Sequence, residues 1–167
     1  MNSLAIAFTG PSNSGKTTLI VKLSNLLKNR YKIAIIKHDP KDKAIFDVQN
    51  KDSDKFTKTG ANVAITSSKR TTFFFQNEQK LEDIISTLLP FDILFVEGLK
   101  ELDLPRIGIF RDKIDESYIP YCKALAIDDS INAKDYDLPK DIVILDLNDE
   151  DMISKWILKN SKVIGQK

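Results

Sequence analysis

The 167 residues suit one domain around one core, and at that length about 70% of the unfolded surface can be buried without a disulfide or metal staple. Twenty-five basic side chains against 24 acidic ones leave a formal net charge of +1, which excludes a global field drawing the chain onto nucleic acid or an anionic membrane. The single cysteine, Cys122, excludes an internal disulfide, and no apolar run approaches the ~18 residues of a membrane span, so the sequence predicts a cytoplasmic protein with neither nucleic acid nor membrane as partner.

Leu4 to Phe8 is continuously apolar and stops at Thr9-Gly10-Pro11, the pattern of a short strand buried on both faces. The start, Met1-Asn2-Ser3, carries no basic stretch and predicts no export signal. Leu19, Ile20, Leu23, Leu26 and Leu27 then recur at helical spacing, predicting a helix over 16–29. Ile33 to Ile36 is a second β-branched run, so the first third of the chain reads strand, loop, helix, strand, a βαβ unit with parallel strands. Residues 38–50 are polar and irregular. A short helix is expected over 53–59, stopped by Gly60, and strands at 63–66 and 72–75 flank the turn-like Ser67-Ser68-Lys69-Arg70. Leu81, Ile84, Ile85, Leu88 and Leu89 predict a helix ended by Pro90. Further strands are expected at 93–96, 107–110, 124–127 and 142–145, with a last helix over 149–159. Cys122, just before the apolar run 124–127, reads as a buried structural thiol. Strands alternating with helices predict a single α/β domain: a P-loop NTPase three-layer sandwich with a mostly parallel sheet and an antiparallel addition at one edge.

Gly10-Pro11-Ser12-Asn13-Ser14-Gly15-Lys16-Thr17 satisfies G-x-x-x-x-G-K-[ST] without deviation. With glycine at about 7% of residues, a chance match in a chain this long is on the order of one in a hundred. Its position between a buried strand and an amphipathic helix strengthens the assignment; the competing reading is an ordinary Gly-rich turn with Ser14 as helix cap. Each position has a physical reason. Gly10 and Gly15 let the backbone turn and approach an anion closely. The amides of Ser12, Asn13, Ser14 and their neighbours form an anion nest at the positive end of a helix. Lys16 reaches the β- and γ-phosphates, the Thr17 hydroxyl suits Mg²⁺, and Thr18 extends the hydroxyl-rich start toward the α-phosphate. A carboxylate is needed for the metal. Glu97, ending the apolar strand 93–96, stands where α/β sheets bind ligands, whereas Asp92 would lie at the wrong end. Asp47, in the irregular loop, is a second candidate. Lys37 and the only histidine, His38, are candidates for the rim of the site; one His and one Cys cannot supply a zinc site.

In this order the motifs resemble the MobB family of molybdopterin-guanine dinucleotide biosynthesis adapter proteins. The resemblance rests on Gly10 to Leu19, on Ile36-Lys37-His38, and on Asp47, Lys51-Asp52-Ser53 and Gly60-Ala61. It continues through Phe95-Val96-Glu97-Gly98-Leu99-Lys100 and Leu104-Pro105-Arg106-Ile107, and so covers about residues 4–111. The chain departs from the pattern at Pro40, where a second His is common, at Asn50, where Gly is usual, and at Lys55, where Arg is usual. The resemblance implies a homodimer that binds GTP with weak Mg²⁺-dependent GTPase activity and assists a MobA-type guanylyltransferase, with molybdopterin as a further candidate ligand. Carried onto this sequence, it assigns phosphate and Mg²⁺ roles to Lys16 and Thr17 and places Asp47 and Glu97 near the metal, with Lys16 and Glu97 as the catalytic pair. It also draws Lys37, His38, Lys51, Asp52 and Lys100 toward the rim.

Three other readings compete: a P-loop small-molecule kinase using ATP, a metal-insertion GTPase, and a scaffold that binds nucleotide without turnover. A kinase usually carries an arginine-rich lid, and the four arginines here, Arg30, Arg70, Arg106 and Arg111, form no cluster; the last three are weak candidates for an arginine finger. Base identity is not written in a motif. Asn50-Lys51-Asp52 is followed by Ser53 and falls too early to be the Asn-Lys-x-Asp guanine signature. Asp128 and Asp129, after the strand at 124–127, could accept from guanine or cap the next segment.

Overall fold

The computed structural model describes residues 2–165. In chain order the elements are β1 (Asn2–Thr9), α1 (Lys16–Leu27), β2 (Ile33–Lys37), α2 (Asp52–Thr57), β3 (Val63–Thr66), β4 (Thr71–Phe74) and α3 (Leu81–Leu88). They continue with β5 (Ile93–Glu97), β6 (Arg106–Phe110), β7 (Ala124–Ile127), β8 (Val143–Asp146), α4 (Glu150–Asn160) and β9 (Lys162–Gly165). Short 3₁₀ helices cover Glu116–Tyr121 and Ala133–Asp135. The described residues fall into two compact units, one formed by the stretches up to His38 and from Leu89 onward, the other by Asp39–Leu88.

The first unit is built on a seven-stranded sheet in the order β2-β5-β1-β6-β7-β8, all parallel, with β9 antiparallel against the first half of β1. The sequence shows why β1 and β5 are central. Their runs have no polar face, and every residue of β5 is buried, as a strand covered on both sides requires. Ile6 and Phe8 of β1, Ile93 and Phe95 of β5, Ile107 and Ile109 of β6 and Ala124 and Ala126 of β7 share one face. Leu19, Ile20, Leu23 and Leu27 of α1 and Ile153 and Ile157 of α4 pack onto it. Each such side chain contributes roughly 1.5–3 kcal/mol of burial. Phe8 and Phe95 meet edge to face at 5.4 Å. The opposite face under β6 and β7 is filled by Phe110, Leu125 and Ile127 against Ile114, Cys122 and Ile131, so there the covering layer is 3₁₀ turns and loops rather than long helices.

The second unit holds α2, α3 and a two-stranded antiparallel sheet, β3–β4, with Val63 opposite Phe74 and Thr66 opposite Thr71. The antiparallel pair expected at an edge of the main sheet is therefore a separate sheet. Its strands satisfy their pairing with each other across the Ser67–Arg70 turn, where Ser67 N donates to Arg70 O at 2.9 Å.

Candidate phosphate-binding site

The register of the parallel strands builds the site. Phe8 of β1 and Lys37 of β2 both stand beside Glu97 of β5, so the three strands end together. The chain then leaves β1 through Gly10 at φ +141°, where a Cβ would lie 2.3 Å from the carbonyl oxygen of Ile109 on β6. Only glycine lets the loop pass this close to the neighbouring strand. Asn13 (φ 64°) and Gly15 (φ 97°) take left-handed conformations, and Gly15 is the residue that caps α1, with no side-chain cap. The first amides of α1 thus open toward the loop, as anion binding at a helix N-terminus demands. Ser14 is not the helix cap: its hydroxyl is buried and finds no partner among the described residues.

Lys16 folds back over the loop. Its ammonium donates to the carbonyls of Gly10 at 3.0 Å and Pro11 at 2.6 Å. Burial lowers its pKa below the usual lysine value; Glu97 partly offsets that, and Lys37 adds to it. Glu97 is 8% exposed at the end of β5. One carboxylate oxygen accepts from the Lys37 ammonium at 2.8 Å, and the other faces the Thr17 hydroxyl, which donates at 3.4 Å. Ser12, Asn13, Gly15, Lys16, Thr17, Thr18, Lys37 and Glu97 line one open cavity of about 470 Å³. Hard oxygen donors from Thr17 and Glu97, side by side beneath an anion nest, fit Mg²⁺ held jointly with phosphate oxygens. Among the described residues no cluster of three or more His, Cys, Asp or Glu could hold a metal without such help.

This site lies inside a longer match. Residues 5–128 match the family described as Molybdopterin guanine dinucleotide synthesis protein B, MobB, which takes in nearly three quarters of the chain. The chain belongs to the MobB family. It is 34% identical over 130 residues to a Methanocaldococcus jannaschii protein provisionally named a molybdopterin-guanine dinucleotide biosynthesis adapter protein. That alignment covers 74% of this chain and 54% of the relative, so the chain spans about half the length of that relative. To the molybdopterin-guanine dinucleotide biosynthesis adapter protein of Haemophilus influenzae it is 27% identical over 162 residues, 91% of this chain and 88% of the other. The crystal structure of Bacillus subtilis MobB superposes with a TM-score of 0.71 at 18% identity, covering 95% of this chain and 98% of that one. At that identity the superposition speaks for the fold.

Not every residue singled out in this MobB-family sequence gathers at the loop. His38 follows Lys37, and its Cβ would be 3.1 Å from a Cβ on Gly98, but its exposed ring does not line the cavity. Lys100 lies elsewhere: its ammonium sits 3.8 Å over the centre of the Tyr118 ring and lines a separate cavity with Lys123 and Lys162. Asp47, Lys51 and Asp52 belong to the second unit. There Asp47 accepts from the Ser53 hydroxyl at 3.0 Å and from Val48 N at 2.8 Å, while its other oxygen is buried with no partner among the described residues. Lys51 caps α2, and Asp52 pairs with Lys55 at 3.3 Å.

Asp128 is half-buried: one oxygen accepts from the amide and hydroxyl of Ser130, and the other stands 3.7 Å from Arg111 Nε, an ion pair without a hydrogen bond. Asp129 is exposed. Arg106, a candidate finger within the Leu104-Pro105-Arg106-Ile107 block, serves a different end. It is 1% exposed and donates to the carbonyls of Gly98 and Leu99, both at 2.7 Å, and of Leu102 at 3.4 Å. It therefore holds the segment that follows Glu97. The only sequence signal for this role was its place in the Leu104-Pro105-Arg106-Ile107 block.

Proposed function

We propose that this chain is a GTP-binding adapter of molybdopterin guanine dinucleotide biosynthesis that hydrolyses GTP slowly. The observation that carries the reading is the juxtaposition in one cavity of the Lys16 ammonium, the loop amides and the Thr17–Glu97 pair. The loop amides and Lys16 bind the β- and γ-phosphates and stabilise charge that develops on them. Thr17 and Glu97 would hold Mg²⁺, which supplies further charge neutralisation at the transferred phosphoryl group. Lys37 occupies one oxygen of Glu97, which fixes that carboxylate for a holding role rather than for activating water. Among the described residues that line the cavity there is no Gln and no arginine, in keeping with slow turnover. Membership of the MobB family supports a MobA-type guanylyltransferase as partner and a cytoplasmic setting, and molybdopterin is the further ligand to examine. No helix among the described residues is long and apolar enough to cross a membrane.

The test is a titration with fluorescent GTP and ATP analogues in Mg²⁺, on wild type and Lys16→Ala. Micromolar GTP affinity, weaker ATP binding and a loss of about a hundredfold in the variant are expected, since Lys16 makes charge-assisted contacts to phosphate. A preference for ATP would overturn the GTP assignment and favour a kinase.

A further inference from the structure

Strand order distinguishes the two ends of a nucleotide on the loop. Glu97 and Lys37 close β5 and β2, on one side of β1, whereas β6 and β7 lie on the other. Thr17 and Glu97 mark the end for metal and γ-phosphate, so the nucleoside runs out over the ends of β6 and β7. Arg111 is the first residue after β6. A Cβ on Gly15 would meet Arg111 Nε at 3.3 Å, Nη2 at 3.7 Å and Cζ at 3.8 Å. The Nε–Nη2 edge of the guanidinium is thus turned obliquely toward Gly15 at van der Waals distance.

Asp128 and Ser130 flank the guanidinium. Nε faces Asp128 Oδ2 at 3.7 Å, the other oxygen of Asp128 accepts from Ser130, and the Ser130 hydroxyl accepts from Asp112 N at 2.9 Å. The Arg111 side chain nevertheless stays 45% exposed, so part of it is available to a ligand. Arg111 stands outside the cavity that the phosphate loop lines with Lys37 and Glu97. We propose that Arg111, beside Gly15 and part-exposed at the end of β6, is the platform on which the nucleobase stacks, with Asp128 as its positioning residue. This rests on the nucleotide-binding reading above. A planar cation whose charge is balanced by a carboxylate suits stacking better than capture of phosphate. Every base offers a π-face, so the platform secures the nucleoside without choosing the base.

Calorimetric titration of wild type, Arg111→Ala and Arg111→Lys with the Mg²⁺ complexes of GTP, ATP and inorganic tripolyphosphate tests this. Arg111→Ala is expected to weaken both nucleotides about tenfold and to leave tripolyphosphate unchanged. Arg111→Lys, which keeps the charge but loses the plane, should behave like Arg111→Ala. An equal loss on tripolyphosphate, or full rescue by lysine, would show a phosphate contact and overturn the platform. Unchanged nucleotide affinity, or a wild type that binds tripolyphosphate as tightly as nucleotides, would overturn it as well. A wild-type preference for ATP sinks only the GTP assignment, and a tenfold loss on ATP in Arg111→Ala then still supports the platform.

Discussion

Gly10 leaves no room for a methyl group: at φ +141° a Cβ would come within 2.3 Å of a backbone oxygen of β6. That oxygen belongs to a central strand and cannot move aside as a flexible side chain would. Gly10→Ala should cost about 1–3 kcal/mol in urea denaturation, through backbone strain and forced displacement, and should misalign the loop amides. A variant with wild-type stability and nucleotide affinity would refute that account. At Cys122, burial at 7% exposure pushes the thiol up from 9.0 to about 11. The folded state thus keeps its proton where the unfolded chain gives it up. The stabilisation is complete below about pH 9 and is lost as pH rises through about 11. The shift corresponds to roughly 2–3 kcal/mol. Lysines and tyrosines titrate in the same window, so the quantity to measure is the difference in slope between wild type and Cys122→Ala. Parallel stability curves for the two proteins from pH 8 to 11 would contradict the burial argument.

At the scale of elements, the connection from β5 to β6 carries the most information. It begins at Glu97, and buried Arg106 fastens it by three carbonyls rather than by a carboxylate. Burial lowers the Arg106 pKa, the mark of a cation taken out of water. Arg106→Met fills the space but leaves those carbonyls unpaired, at about 3 kcal/mol of stability. Arg106→Lys should recover little, because the single ammonium nitrogen of lysine cannot stand where both terminal nitrogens of the guanidinium reach the carbonyls of Gly98, Leu99 and Leu102. Hydrogen exchange over residues 98–104 should quicken in both variants; unchanged exchange would mean that the loop holds itself. The sequence could not show this. The phosphate loop was legible because its residues are contiguous and each position has one chemical reason, and β1, β5 and β7 because unbroken apolar runs admit few alternatives. Arg106 sits at a strand start, where a charged residue ordinarily marks solvent, and its partners are backbone atoms that carry no sequence signature. Arg111 and Asp128 lie 17 positions apart and meet only because β6 and β7 are adjacent. β9 was missed for a similar reason: Lys162–Gly165 has a weak pattern, and its place is set by the edge that β1 offers it.

At the scale of the molecule, the two units differ in how they treat apolar surface. In Asp39–Leu88, Ile45 is 90% and Phe46 81% exposed, and Val48, Phe56, Ile65, Phe73 and Phe75 are exposed as well. Phe73, on the exposed face of β4, and Phe75, just past its end, stack on one another with centroids 6.0 Å apart. A two-stranded sheet is marginal in water by itself, and contiguous exposed aromatic surface marks an interaction site. A second copy of the chain is the occupant that agrees with the homodimer implied by the family resemblance, and a net charge of +1 opposes self-association little. A stable dimer would have to bury on the order of 1,200–2,000 Å² in total. Sedimentation of wild type should therefore give a dimer at micromolar concentration, and the double variant Phe73→Asp/Phe75→Asp should sediment as a monomer. Because the phosphate loop belongs to the other unit, that variant should still bind fluorescent GTP. A monomeric wild type, or a double variant that remains dimeric, would show that these aromatics serve some other contact. A monomeric variant that also lost nucleotide would tie the integrity of the phosphate site to assembly, a coupling that the residues of the first unit give no reason to expect.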